Sequence, residues 1–455
     1  MLRSLRAEFA RLHRGDLEVE GLLPASRITA ASDAAGYQDH GGMYTAVVTM
    51  QMFLAQLLRP DRSCQRAVCG LAAHRAAQQA KACSVATGGY CLARQRLPEE
   101  MFWKLMRESG REGEQAAPAE WLWCRRRVRV VDGSTLQIAD TPANRSEYPL
   151  QAGLQPGCHF PVVRILVVFS LAVGVVIDAA LRAYQGKGTG ETGMLRDLAK
   201  LFTPGDVLLG DRYFAGYWDL AWWLVRGVDV VTRLPVSRRS DFRRGQRLGK
   251  KDHLIVWRRT AWPEWMTRDE AQALPRELTL RELHVQVDAP GFRTRCLVVV
   301  TTLLDAQAYP ATKLRELYRR RWQAELNLRS LKTQLKMEQL QTKKPATVRK
   351  EFTTYLLAYN CVRRVMLEAA RTSAKEPRQI SFQGTLQSLL EFLARFHRTP
   401  SVTQWVDQLL AIIAQLKVGH RPNRVEPYAT KRRPKDYPPL QETRDDYKTR
   451  ICSYT

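Results

Sequence analysis

Residues 125–138 read RRRVRVVDGSTLQI, and the segments on either side of them decide the fold. Val128–Val131 is a β-branched run, and Asp132, Gly133 and Ser134 follow as a polar turn, so a buried strand is expected to end at an acid. Toward the C-terminus, residues 159–170 (HFPVVRILVVFS) and 173–184 (VGVVIDAALRAY) predict two more strands. Their apolar centre, Ile165–Ile177, is split by Gly174 and is shorter than the roughly 20 residues that a membrane-spanning helix needs. Residues 188–202 (GTGETGMLRDLAKLF) predict a helix. Val207–Gly210 predicts a short buried strand ending at Asp211. Residues 216–227 (GYWDLAWWLVRG) predict a helix and 228–235 (VDVVTRLP) a further strand.

The order is three adjacent strands, then helix, strand, helix, strand. That is an α/β unit with a mixed sheet, the element order of an RNase H-like fold. The alternation stops after residue 235. Residues 236–300 hold SRRSDFRRGQRLGKKDH and then the β-type runs LIVW, LTLRELHVQV and the start of FRTRCLVVVTTLL, which predicts a β-rich insertion. Helix returns in 311–340 and 350–373. Residues 1–120 read as short helices, with Thr45–Leu58 of helical length and Pro98 opening another above Glu99 and Glu100. The expected division is an N-terminal helical DNA-binding domain over 1–120, the first part of the core over 121–235, the insertion over 236–300, the second part of the core over 301–400, and a basic C-terminal tail over 401–455, of which 420–440 reads as irregular.

The chain of 455 residues carries a formal charge of +26, which implies a polyanionic partner, nucleic acid first. Residues 1–120 hold 15 basic and 13 acidic side chains, a net of +2, so +24 lies in the rest. The polyanion is therefore expected to meet the body of the protein. Nine cysteines without paired-ligand spacing, and a start without an apolar leader, point to reduced thiols in the cytoplasm and to no membrane partner.

Asp132 and Asp211 both follow buried runs, and strand ends are where α/β sheets gather active-site groups. A turn aspartate is the ordinary alternative for either one alone. The helix at 314–336 adds a third acid. Tyr318, Arg321, Glu325 and Lys332 are spaced 3, 4 and 7 apart and share a sector of roughly 60°. Leu317, Ala324, Leu328, Leu331 and Leu335 fill a neighbouring apolar sector, so the charged stripe borders a buried one. A solvated face carrying an Arg321–Glu325 pair would show the same spacing. Residues 311–350 hold 12 Lys or Arg against 3 Asp or Glu. A carboxylate kept among so many cations suits a hard metal ion beside phosphate-binding groups.

Tyr318, Arg321, Glu325 and Lys332 match Y-x2-R-x3-E-x6-K at every position. With Asp132 in VVDGST and Asp211 in LLGDRYF, the chain resembles the bacterial insertion-sequence transposases of family four, a branch of the DDE transposases. Similar wording runs through about 85–435, in GGYCLARQRLP, DTPANRSEYP, GKGTGETGMLRDL, AYNCVRR and RPNRVEP among others. The resemblance implies an RNase H-like core in which Asp132, Asp211 and Glu325 hold two Mg²⁺ ions, with Mn²⁺ able to substitute. It implies that Tyr318, Arg321 and Lys332 hold phosphates near the cut, and Arg212, beside Asp211, joins this DNA-contacting set. It implies binding to the terminal inverted repeats of a mobile element, a synaptic homodimer, and cut-and-paste transfer of 3′ ends into target DNA at the nucleoid. The alternatives are a stand-alone nuclease on the same fold and a transposase-derived DNA-binding protein.

Two features read as decoys. Gly186–Lys187–Gly188–Thr189 fails the phosphate-loop pattern, and the histidines are scattered. If excision runs through a DNA hairpin, Trp257, Trp262 or Trp265 is a candidate to stack the extruded base, Trp257 first; the other reading is that all three pack the insertion.

Overall fold

The computed structural model describes residues 5–9, 17–39, 41–286, 296–395, 401–418 and 441–453. The irregular tail expected over 420–440, with its RPNRVEP motif, lies outside the described residues.

Six helices come first: α1 (Leu5–Phe9), α2 (Ala25–Ala34), α3 (Ala46–Leu58), α4 (Cys64–Ala77), α5 (Gly88–Arg96) and α6 (Glu99–Gln115). The α/β unit follows as β1 (Val128–Ile138), α7 (Pro142–Glu147), β2 (Val162–Ser170), β3 (Val176–Ala183), α8 (Glu191–Asp197), β4 (Val207–Leu209), α9 (Tyr217–Val225) and β5 (Asp229–Arg233). Next come β6 (Gln246–Gly249), β7 (Asp252–Arg258), α10 (Arg268–Ala273), β8 (Glu277–Gln286) and β9 (Cys296–Thr301). The rest is α11 (Ala311–Arg320), α12 (Trp322–Arg329), β10 (Gln339–Leu340), α13 (Pro345–Thr372), α14 (Phe382–Leu393), α15 (Val402–Gln415) and α16 (Arg444–Cys452). No helix among the described residues is long and apolar enough to cross a membrane.

The sheet runs β3-β2-β1-β4-β5-β9-β8-β7-β6, with β10 pairing β1. β1, β2 and β3 are antiparallel neighbours, while β4 and β5 join β1 in parallel. This is the RNase H-like arrangement that the element order predicts. The strands of the expected insertion extend the same sheet, because β9 pairs antiparallel with β5.

One expectation needs correcting. Asp132 does not sit at a strand end: β1 continues to Ile138, because β2 pairs with it from Arg129 through Gln137. The D-G-S signal was local, and cross-strand hydrogen bonding overrides it. What ends here is the neighbouring strand. β4 pairs with β1 only at Val128–Val130, and β10 takes up the same edge only at Gln137 and Ile138. Between them no strand among the described residues pairs with that edge of β1, and Asp132 lies in the opening.

Around β1 the sheet is buried on both faces. Val128, Val130, Leu136 and Ile138 enter one core with α6, α12 and α13, and Val131 enters the other with α8 and α9. Side chains alternate along β1, so Asp132 and Ser134 face α12, while Gly133 faces α8. Of the N-terminal helices, α1, α2, α3 and α6 share the first core with α13. Gly110 of α6 lies so close to β3 that a Cβ there would meet the Val176 carbonyl oxygen at 2.1 Å. Asn360 of α13 closes the junction. Its Oδ1 accepts from Val176 N–H at 2.8 Å, and its Nδ2 donates to the Val176 carbonyl at 2.9 Å and to Ser109 Oγ at 3.0 Å.

Candidate active site

The expected helix over 314–336 is one rod with two departures from α geometry. At Arg321 the winding tightens: Arg321 N–H bonds the Tyr318 carbonyl at 3.1 Å, and Ala324 N–H bonds that of Arg321 at 3.0 Å. From Ser330 to Gln334 it loosens into a π turn, with Leu335 N–H on the Ser330 carbonyl at 2.9 Å. Such turns interrupt helices rarely and gather at functional sites. The apolar stripe behaves as expected, since Leu317, Ala324, Leu328, Leu331 and Leu335 are all buried. A buried contact from α13 anchors the rod: the Arg363 guanidinium donates to Asn327 Oδ1 and, at 2.7 Å, to the Tyr359 hydroxyl.

The charged stripe faces the opening in the sheet. Arg321 Nη2 donates to Glu325 Oε1 at 2.6 Å, with side chains 18% and 35% exposed. Lys332, in the π turn, donates from Nζ to Ser134 Oγ at 3.3 Å and lies 3.8 Å from Glu338. Tyr318 is buried; loss of hydration holds its hydroxyl above the ordinary range, against the pull of Arg321 and Arg233.

Asp211 follows β4 after Gly210, as the sequence predicts. Its carboxylate accepts from Tyr213 N–H at 2.8 Å, and its carbonyl accepts from the Thr232 hydroxyl of β5. Gly210 permits the turn, because a Cβ there would lie 2.7 Å from the Phe214 ring that folds back under it. Arg212 is exposed on this turn.

The three acids share one electrostatic environment. The Asp132 carboxyl is pushed up to about 7, chiefly by burial. Arg321 opposes the shift, while Glu325, Asp211 and Glu191 add to it. Glu191 is a fourth carboxylate that the motif reading missed. Among the described residues no three His, Cys, Asp or Glu side chains converge tightly enough to cage an ion. The cation that serves Glu325 and Asp132 here is the Arg321 guanidinium. The donor set still fits a hard divalent ion: half-buried carboxylates of like charge, facing one opening, are relieved by a cation with oxygen affinity.

Trp257 does not offer a stacking face, which corrects that expectation. It is 3% exposed, the Arg238 guanidinium lies 3.9 Å from its ring centroid, and its Nε1–H bonds Glu282 at 3.1 Å. Trp262 and Trp265 are exposed, and Arg196 stacks 3.7 Å over Trp265.

An open-edged mixed sheet with acids from β1, from the turn after β4 and from α12 is the frame of a DNA-processing transposase. The family described as "Transposase DDE domain" matches residues 123–361, more than half the chain, and the chain belongs to it. It is similar to "Transposase InsG for insertion sequence element IS4" of Escherichia coli (strain K12), with 26% identity over 78% of each chain. The family-four resemblance is thus borne out, and the protein is a DNA transposase. A looser overall likeness is to a piggyBac transposase synaptic complex with hairpin DNA: TM-score 0.41, 10% identity, 89% of this chain and 86% of that one.

Proposed function

We propose that this transposase cleaves the terminal inverted repeats of an insertion sequence and transfers the 3′ ends into target DNA, with Asp132, Asp211 and Glu325 holding the catalytic metal ions. The observation that carries the reading is the convergence of Asp132 and the Arg321–Glu325 pair on the opening between β4 and β10. Two Mg²⁺ ions, or Mn²⁺ in their place, would supply activation of water or a 3′-hydroxyl and charge stabilisation at phosphorus.

The chain's own residues do the rest. Asp132 and Asp211 are held by strand pairing and by the turn after β4, so their carboxylates are in position before DNA arrives. Arg321 neutralises Glu325 in the free protein and turns to a phosphate when DNA enters, so the acid set is uncovered by its own substrate. Lys332 is tethered to Ser134, two residues past Asp132, which ties a phosphate contact to the strand that carries the first acid. Arg212 and Tyr318 complete the contacts with DNA near the cut. The N-terminal helices contribute to recognition of the element's ends. Two copies act together on paired ends at the nucleoid, in the cytoplasm.

The test is incubation of the purified chain with Mg²⁺ and DNA carrying the element's ends, with mapping of cut and joined products. Ends joined to target DNA support transposition. Cutting without joining assigns a nuclease, and binding without cutting assigns a DNA-binding derivative.

A further inference from the structure

Glu191 starts α8, on the face of the sheet opposite α12, and its side chain reaches back across β1. A Cβ placed on Gly133 would lie 2.2 Å from the Glu191 carboxylate carbon and 2.3 and 2.6 Å from its oxygens. The carboxylate therefore rests on the bare backbone beside Asp132, in a cradle that only glycine leaves open. A glycine inside a strand marks such a close approach. Asp132 and Glu325 approach the opening from the α12 face, and Asp211 enters at the end of β4.

We infer that Glu191 is a fourth carboxylate of the metal-holding set, reaching the opening from the α8 face over Gly133. This rests on the reading of Asp132, Asp211 and Glu325 as the metal ligands. Two further observations support it. Glu191 is half-buried and held above its ordinary range by burial and then by Asp211, with Arg164 of β2 the opposing cation. Arg164 also serves Tyr184: its guanidinium lies over the Tyr184 ring at 5.0 Å and donates to the Tyr184 carbonyl at 3.4 Å. The fourth carboxylate thus adds negative charge beside Asp211 and Asp132, which a cation in the opening would relieve further.

The experiment titrates the full-length chain with Mn²⁺ alone, without DNA, following free Mn²⁺ by its paramagnetic resonance signal. Glu191→Gln keeps the size of the side chain and removes its charge. It should weaken Mn²⁺ binding about 10- to 100-fold, the range seen when groups supporting a metal site are lost, with an unchanged melting temperature. Glu191→Asp should recover part of the affinity. Gly133→Ala should reproduce the loss by displacing the carboxylate, and should add nothing in a Glu191→Ala background. If Glu191 serves only the start of α8 or Arg164, Glu191→Gln will shift melting and leave the Mn²⁺ titration unmoved, which overturns the inference. Asp132→Asn, Asp211→Asn and Glu325→Gln distinguish the two readings. If they weaken Mn²⁺ binding and Glu191→Gln does not, only the fourth ligand fails. If none of them does, the metal assignment itself fails.

Discussion

Two arginine–carboxylate pairs in this molecule use the same chemistry for different ends. In the extended part of the sheet, Arg281 of β8 grips Asp252 of β7 in a fork, with Nε to Oδ1 at 2.8 Å and Nη2 to Oδ2 at 2.6 Å. Its remaining nitrogen donates to the Tyr309 carbonyl at 2.8 Å, and the two side chains are 1% and 5% exposed. On the charged stripe, Arg321 makes one contact with Glu325 at 2.6 Å and another with the Tyr318 hydroxyl, and the Arg321 and Glu325 side chains are partly exposed. A buried fork is costly to break, because either charge left alone has no water to turn to. A partly exposed pair joined by one Arg–Glu contact costs less to exchange than a buried fork. Burial, not residue type, separates the strut from the switch.

The largest expected effect falls on the switch side. Glu325→Gln should abolish end cleavage while leaving end binding and the melting temperature close to wild type; near-normal cutting in a gel-based assay would break the assignment. Second, Arg281→Ala should destabilise the fold by about 3–5 kcal/mol, read by denaturant unfolding. A loss below about 1 kcal/mol would place both pairs in one class. Third, Arg321→Ala should change stability by at most about 1 kcal/mol, yet impair cleavage. It should also lower the slope of log affinity against log salt by about 0.9 for one lost phosphate contact. An unchanged slope with an unchanged rate would remove Arg321 from the DNA. Fourth and smallest, Ser134→Ala should leave stability and binding within error and slow cleavage modestly by freeing Lys332; an effect as large as that of Arg321→Ala would mean that Ser134 itself touches DNA.

Much of this was legible because the signals were local or periodic. The buried stripe of Leu317, Ala324, Leu328, Leu331 and Leu335 follows from helical spacing, and the Arg321–Glu325 pair from its i,i+4 separation. Gly174 sits at φ +75 in the turn between β2 and β3, where the apolar run is split. Asp211 follows a short strand as read. Other features were not legible. The π turn at Ser330–Gln334 occupies a stretch that reads as ordinary helix, because nothing in its residue types distinguishes one winding from the other. Glu191 reads as the first turn of a helix; its one sequence-level mark is Gly133, a glycine within what proves to be a strand. Between a stacking ring and a packing one, the sequence leaves Trp257 open; the structure decides for packing, with Arg238, 19 residues away in sequence, over its ring.

By itself, the sequence determined that the core strands and the helix carrying Glu325 exist, which face of that helix is apolar, and which acids and cations match one ordered motif, since these rest on residue type and spacing. It did not fix where β1 ends or that Gln339–Leu340 leaves the helix to pair with it. The tertiary structure alone decided that β4 stops beside Val130 and β10 begins beside Gln137, and hence that a mid-strand aspartate faces an opening. It also decided that a glutamate from the far face meets that opening over a glycine. The physical reason is that strand pairing and close backbone approach are made between residues far apart in the chain, where no local periodicity records them.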